Sequence, residues 1–285
     1  MAVDLKKLFT LEKKIAVISG ASGAICGEMA ELLAAYGVKT VLLDIDSENA
    51  EKRAAAIRNS GGEVLVYQCD VLDEHKLKKI SADICLKWGN PDFLINGAGG
   101  NHPTGSVGQK YFLKNEPERG EDLNSFFNLN FEGFEKVLNL NFNGTVLPSK
   151  IFGAGMAERG SGVIVNISSM SGITPLTKVA AYSAAKAAVI NFTRWLSVYL
   201  SHTGVRVNTI APGFIMTEQS RFLQFDKETG ELNTRGKEII ASTPMGRFGK
   251  PEELIGTLIW LISDASKFVT GAVIPVDGGF SSYSI

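Results

Sequence analysis

The amino-acid sequence predicts an α/β fold: a single doubly wound domain with a seven-stranded parallel sheet and helices on both faces. Three observations carry that expectation. Seven short apolar runs, rich in Val, Ile and Leu, recur from residue 15 onward and suit strands buried on both faces. Segments with helical spacing lie between them, long enough to return the chain right-handedly into a parallel sheet. A glycine-rich turn separates the first run from the first helical segment.

Taken in order, strands are expected at 15–19, 39–44, 63–68, 92–96, 162–167, 205–211 and 272–276. The run at 15–19 is unbroken Ile-Ala-Val-Ile-Ser, the second ends in Leu-Leu-Asp, and the fifth is β-branched and ends against the hydroxyls Ser168 and Ser169. Helices are expected at 24–36, 47–59, 73–87, 131–156, 181–201 and 251–263, where apolar residues recur at helical intervals. Two stretches interrupt the rhythm. An insertion at about 100–130 holds His102-Pro103-Thr104-Gly105, Pro117 and Gly120, and a second stretch at about 213–249 holds Phe214, Arg221, Phe222, Phe225 and Arg247. Both follow strand ends, so both are expected to overhang the ligand-binding edge, the second as a substrate lid.

The 285 residues are 45% hydrophobic and 21% charged, which fits one large globular domain over 1–285. A formal charge of −1 offers no basic field for nucleic acid and no polybasic face for a membrane. Cys26, Cys69 and Cys85 form no CxxC pair, and His75, His102 and His202 are scattered. Neither a disulfide framework nor a metal site is expected, and the compartment indicated is reducing and cytoplasmic. No stretch has the length of a membrane span or the layout of a signal peptide. Small molecules and copies of the same chain are the expected partners.

The turn after the first strand reads Ser19-Gly20-Ala21-Ser22-Gly23-Ala24-Ile25-Cys26-Gly27. Its glycines let the backbone approach a pyrophosphate, and the amides around Ser22, Gly23, Ala24 and Ile25 open a helix whose N-terminus favours anions. Asp44 ends the second strand, where a carboxylate can accept from a ribose 2′-hydroxyl and repel a 2′-phosphate. Asp46 adds to that negative field and no Arg follows directly, so NAD(H) is favoured over NADP(H). Asp70 and Val71 follow the third strand at the adenine position, and Asn96, Gly97 and Ala98 follow the fourth, giving one extended ligand path along consecutive strand ends.

Tyr182 and Lys186 stand four apart, which places phenol and ammonium on one helix face. A lysine close to a phenol is expected to bring its pKa down from the ordinary ~10. Ser169 precedes Tyr182 by thirteen residues at the end of a strand, so the intervening loop can fold its hydroxyl back over the phenol.

In this combination and order, the chain resembles the short-chain dehydrogenase/reductases from about residue 14 to 280. The matching motifs are the glycine turn, Asn96-Gly97-Ala98-Gly99, Asn141 within Leu138-Asn139-Leu140-Asn141-Phe142-Asn143-Gly144, Ser169, Tyr182, Lys186, and Pro212-Gly213 followed by Thr217. The resemblance implies a Rossmann-type oxidoreductase in which Tyr182 moves a proton at the substrate oxygen and Ser169 hydrogen-bonds that oxygen. It implies that Lys186 holds the ribose hydroxyls and lowers the Tyr182 pKa, that Asn141 keeps a water relay in place, and that Thr217, with Pro212, Gly213 and Ile215, meets the nicotinamide. Commonly such enzymes are tetramers, and the apolar faces of 131–156 and 181–201 suit packing between subunits of a tetramer or dimer. One departure is that Ala24 and Cys26 stand where glycines are usual; Cys26 is expected to narrow the helix-to-strand approach or the pyrophosphate pocket.

A narrower resemblance, in Ala98-Gly99-Gly100-Asn101-His102-Pro103, Pro175-Leu176-Thr177-Lys178, Thr243-Pro244-Met245-Gly246-Arg247-Phe248-Gly249 and the ending from Pro275 to Ser281, is to the D-mannonate oxidoreductases of this family. It implies reversible reduction of D-fructuronate to D-mannonate. Asn101, His102, Lys178, Arg221 and Arg247 are then the donors and cations available to a polyhydroxylated carboxylate. The alternatives are another sugar-acid or polyol dehydrogenase, such as one acting on gluconate, or a 3-oxoacyl-carrier-protein reductase. That last partner is acidic, and no dense basic cluster meets it. An NAD-binding protein without turnover would be free to lose Ser169, Tyr182 or Lys186, and all three are present.

Overall fold

The structure is a computed structural model that describes residues 4–112 and 125–284. Pro117 and Gly120, and with them the middle of the expected insertion, lie outside the described residues. The strands are β1 (Ile15–Ser19), β2 (Lys39–Asp44), β3 (Val64–Gln68), β4 (Phe93–Asn96), β5 (Gly162–Ile167), β6 (Val205–Pro212) and β7 (Val273–Val276). They form one all-parallel sheet in the order β3-β2-β1-β4-β5-β6-β7. The order reverses between β1 and β4, and in open α/β sheets ligands bind at such a switch point.

Alternate residues along each strand supply two cores. Ala16 and Ile18 of β1, with Leu42, Ile95 and Val165, pack against α2 (Ala24–Ala35), α3 (Ser47–Asn59) and α9 (Ile255–Ile262). Val17, Val41, Leu43, Leu94 and Ile164 face the other way, toward α4 (Glu74–Lys87), α5 (Phe131–Arg159) and α6 (Ala180–Tyr199). A fully buried Leu or Met such as Leu33 or Met29 contributes roughly 1.5–3 kcal/mol of hydrophobic free energy. Because both faces are covered, the strands read as continuous apolar runs.

Side-chain caps fix where the helices start. Asp46 accepts from Asn49 N ahead of α3, Asp73 from Lys76 N ahead of α4, and Asn130 from Gly133 N ahead of α5. A short helix α1 (Leu5–Leu8) opens behind Asp4, which accepts from Lys6 N and Lys7 N. The stretch expected as a continuous lid loop instead contains α7 (Glu218–Gln224) and α8 (Thr234–Ala241), capped by Thr217 and Asn233. Two turns are too few for an apolar period to show in the sequence. Residues 251–263 also divide, into a 3₁₀ turn at Pro251–Leu254 followed by α9. No described helix is long and apolar enough to cross a membrane.

Candidate active site

The carboxyl ends of the strands frame a cleft of about 690 Å³. At its centre β1 and β4 are tied together, because the Ser19 hydroxyl accepts from Gly97 N at 3.1 Å and Ala98 N at 3.2 Å. The glycine turn needs Gly20 where it stands: its φ is +70°, and a Cβ there would lie 2.8 Å from Ala98 N. Gly23 then caps α2 without a side chain, leaving the backbone around Ser22, Gly23, Ala24 and Ile25 as a wall of the cleft. A first turn of this kind is a ready anion site.

Asp44 lies on the same wall. One carboxylate oxygen accepts from Ser22 N and the other from Asp46 N, each at 2.9 Å, so this residue also braces the glycine turn. Asp70, which accepts from Leu72 N at 2.9 Å, and Val71 line the next part of the cleft. Cys26 is buried, and its thiol is pushed up to about 12 by burial. Its Sγ fills the place a side chain at Gly97 would need, so the two positions are sterically complementary. The narrowing expected at Cys26 is therefore met by the missing Cβ of Gly97.

The last residues of β5 and the turn after it grip α6. Lys186 Nζ donates to Ile167 O at 2.9 Å, and Ser168 Oγ donates to Lys186 O at 2.8 Å. Ser169 accepts from Ser171 N at 3.1 Å and shares a side-chain hydrogen bond with Tyr182. The ammonium of Lys186 is 5.5 Å from the Tyr182 ring centroid. The expected depression of the tyrosine pKa is not found: burial raises the phenol above its usual value, and the Ser169 bond opposes that rise. Burial also draws the Lys186 ammonium down to about 8. Desolvation is the leading cause of both shifts.

Ser169, Tyr182, Lys186, Gly97, Ala98, Pro212, Gly213 and Thr217 all line the cleft. Asn141, Asn96 and Ile215 do not. Asn141 is fully buried in α5, where its amide donates to Gly100 O at 2.7 Å and Val137 O at 2.8 Å and its Oδ1 accepts from Gly100 N at 3.1 Å. It therefore staples the segment over the cleft to the helix. Asn96 lies beneath the floor with its amide donating to Ser149 and Asn166, and Ile215 bridges to Gly249.

None of the five side chains expected at the substrate lines the cleft. Arg247 is spent in a bidentate pair with Glu253 at 2.7 and 2.6 Å, and Arg221 stacks over Phe225 with its guanidinium 5.1 Å from the ring centroid. Asn101 donates to Ser106 Oγ, and His102 Nδ1 pairs with Thr104 Oγ1. Lys178 adopts a φ of +71° and gives its carbonyl to Val107 N at 2.8 Å. Sequence reasoning missed Lys136, Asn139 and Leu140, which line the cleft beside Asp70 and Val71. They lie in the turn and a half of α5 that precedes Asn141, and the i, i+4 step from Lys136 to Leu140 is the signal that would have found them.

The profile of a family described as enoyl-(acyl carrier protein) reductase matches residues 20–281. An uncharacterized oxidoreductase of Haemophilus influenzae is 45% identical over 275 residues, covering 96% of this chain and 95% of that protein. The uncharacterized oxidoreductase UxuB of Bacillus subtilis is also 45% identical over 275 residues, covering 96% and 97%. A solved structure from Haemophilus influenza, described as a candidate D-mannonate oxidoreductase with bound NAD, superposes with a TM-score of 0.90 at 45% identity, covering 96% of this chain and 97% of that one.

Proposed function

The chain belongs to the short-chain dehydrogenase/reductase family of oxidoreductases acting on CH–OH groups, and from that membership we propose an NAD-dependent enzyme that interconverts D-mannonate and D-fructuronate. The observation that carries this reading is the convergence of Ser169, Tyr182 and Lys186 at one end of a cleft whose other end is the glycine turn and Asp44. The cleft fits the dinucleotide: without a Cβ at Gly20 the turn closes onto the Ala98 backbone, and the start of α2, capped by no side chain, is open to an anion.

Residues Gly20, Ser22, Gly23, Ala24 and Ile25 would hold the pyrophosphate, Asp44 the adenosine ribose, and Asp70 and Val71 the adenine, with Pro212, Gly213, Ile215 and Thr217 at the nicotinamide. When bound, the nicotinamide supplies or takes up hydride. Tyr182 protonates the substrate oxygen as a ketone is reduced and recovers the proton on oxidation, while Ser169 gives that oxygen a second hydrogen bond. A raised phenol pKa keeps Tyr182 in the acid form needed for reduction. Lys186 presents its positive charge to the ribose hydroxyls, and Asn141 fixes the Gly99–Gly100 segment. Support for the substrate comes from the description of the solved relative and from the resemblance in the substrate-side motifs. Trp195, Val198 and Tyr199, all exposed on α6, support pairing with another copy. We assign the protein to the cytoplasm and the 213–249 segment to a substrate lid.

The test is a panel of hexuronates and ketoaldonates, D-fructuronate and 5-keto-D-gluconate included, assayed with NADH and NADPH. D-Fructuronate with NADH should give the highest kcat/KM. A higher value for any other sugar ketone overturns the substrate assignment, and a preference for NADPH overturns the cofactor assignment.

A further inference from the structure

We infer that a buried hydrogen-bonded seam keys α6 to the sheet and that Thr193 is the positioning residue for Tyr182 and Lys186. The inference rests on the reading of those two residues given above. Thr193 is fully buried and makes three bonds with one hydroxyl: it accepts from Asn166 Nδ2 of β5 at 2.8 Å and from Thr209 Oγ1 of β6 at 2.7 Å, and donates to Val189 O at 2.8 Å. The seam continues beyond β5. Asn166 Oδ1 accepts from Asn96 Nδ2 at 2.9 Å, the same amide donates to Ser149 Oγ at 2.8 Å, and Ser149 donates to Thr145 O at 2.7 Å. Thr145 in turn donates to the carbonyl of Asn141 at 3.0 Å.

Beyond Lys186 and Thr193, α6 packs on the sheet with apolar side chains such as Leu196, whose attraction is non-directional and tolerates a slide along the helix axis. The Thr193 bonds do not tolerate it, because a shift would strand buried donors on Asn166 and Thr209. Thr193 follows Lys186 by seven residues, two turns along the same face. Consecutive residues of one strand end therefore hold both ends of that face: Asn166 holds Thr193, Ile167 holds Lys186 Nζ, and Ser168 holds the Lys186 carbonyl. The seam sets the register that delivers phenol and ammonium to the cleft.

The experiment compares Thr193→Val, which keeps shape and loses the hydroxyl, with Thr193→Ser, which keeps it. In protein whose circular dichroism matches wild type, Thr193→Val should lower kcat for D-fructuronate with saturating NADH by about tenfold or more, and Thr193→Ser should restore it. Near-wild-type kcat in Thr193→Val, or an equal loss in both variants, overturns the inference. Thr209→Val removes one partner of the same hydroxyl, so Thr193→Val/Thr209→Val should lose no more than Thr193→Val alone; losses that multiply overturn the inference. If Thr193→Val does not fold, Thr209→Val against Thr209→Ser decides by the same kcat criterion. If wild type does not turn over D-fructuronate, the substrate reading fails separately. The seam is then judged by amide exchange across 180–186, which Thr193→Val must speed and Thr193→Ser must not.

Discussion

Lys186 stands 5.5 Å from the centre of the Tyr182 ring while its Nζ donates to Ile167 O, so the ammonium flanks the phenol with one of its hydrogen bonds already committed to the sheet. On the proposed mechanism, proton transfer depends on the hydroxyl of Tyr182 itself. Tyr182→Phe should lower kcat by about 10²–10⁴-fold and leave NADH affinity, read by fluorescence titration, close to wild type. Near-normal turnover would reject the acid/base role.

Burying an ammonium has a stability cost. With the Lys186 pKa at about 8 in the fold and ~10.4 in the unfolded chain, the unfolded state holds the extra proton between those values, so stability rises with pH through that window. The penalty is complete below pH ~8, where it amounts to about 3 kcal/mol. Lys186→Met should therefore unfold at higher denaturant than wild type at pH 7, lose that advantage by pH ~10, and be nearly inactive. Equal stability of the two proteins at pH 7 would contradict the burial argument.

In the proposed reading Asp44 has two tasks, because the carboxylate assigned to the ribose also accepts from Ser22 N and Asp46 N. Asp44→Ala should shrink the NADH-over-NADPH preference in kcat/KM by about tenfold and lower stability by roughly 1–2 kcal/mol as two acceptors are lost. An unchanged cofactor ratio would remove Asp44 from the discrimination.

Gly97→Ala should destabilise by about 1–3 kcal/mol, since its methyl collides with Cys26 Sγ. Cys26→Gly in the same chain should recover part of that loss in urea unfolding. Strictly additive effects would show that the two sites do not touch.

Much of this was legible in the sequence because the determinants are local. Strands buried on both faces write uninterrupted apolar runs, and the seven expected strands fall within a residue of those observed. Ser169, Tyr182 and Lys186 are placed by a strand end and one helical turn. What stayed hidden depends on contacts distant in sequence or on turns too short for periodicity. The fit of Cys26 against Gly97 joins two crossovers, and the pairing of Arg247 with Glu253 is made by a turn that the six-residue gap does not announce. The tyrosine pKa went the other way because spacing reveals the neighbouring charge but not the burial that opposes it.

The bond from Ser19 Oγ to the amides of Gly97 and Ala98 has a consequence for the cleft. It carries the β1–β4 pairing one step past the end of the ladder, at the line where the strand order reverses. With that seam fixed, the turns that leave β1 and β4 keep one spacing, and a nucleotide lying across them meets a floor that does not yield.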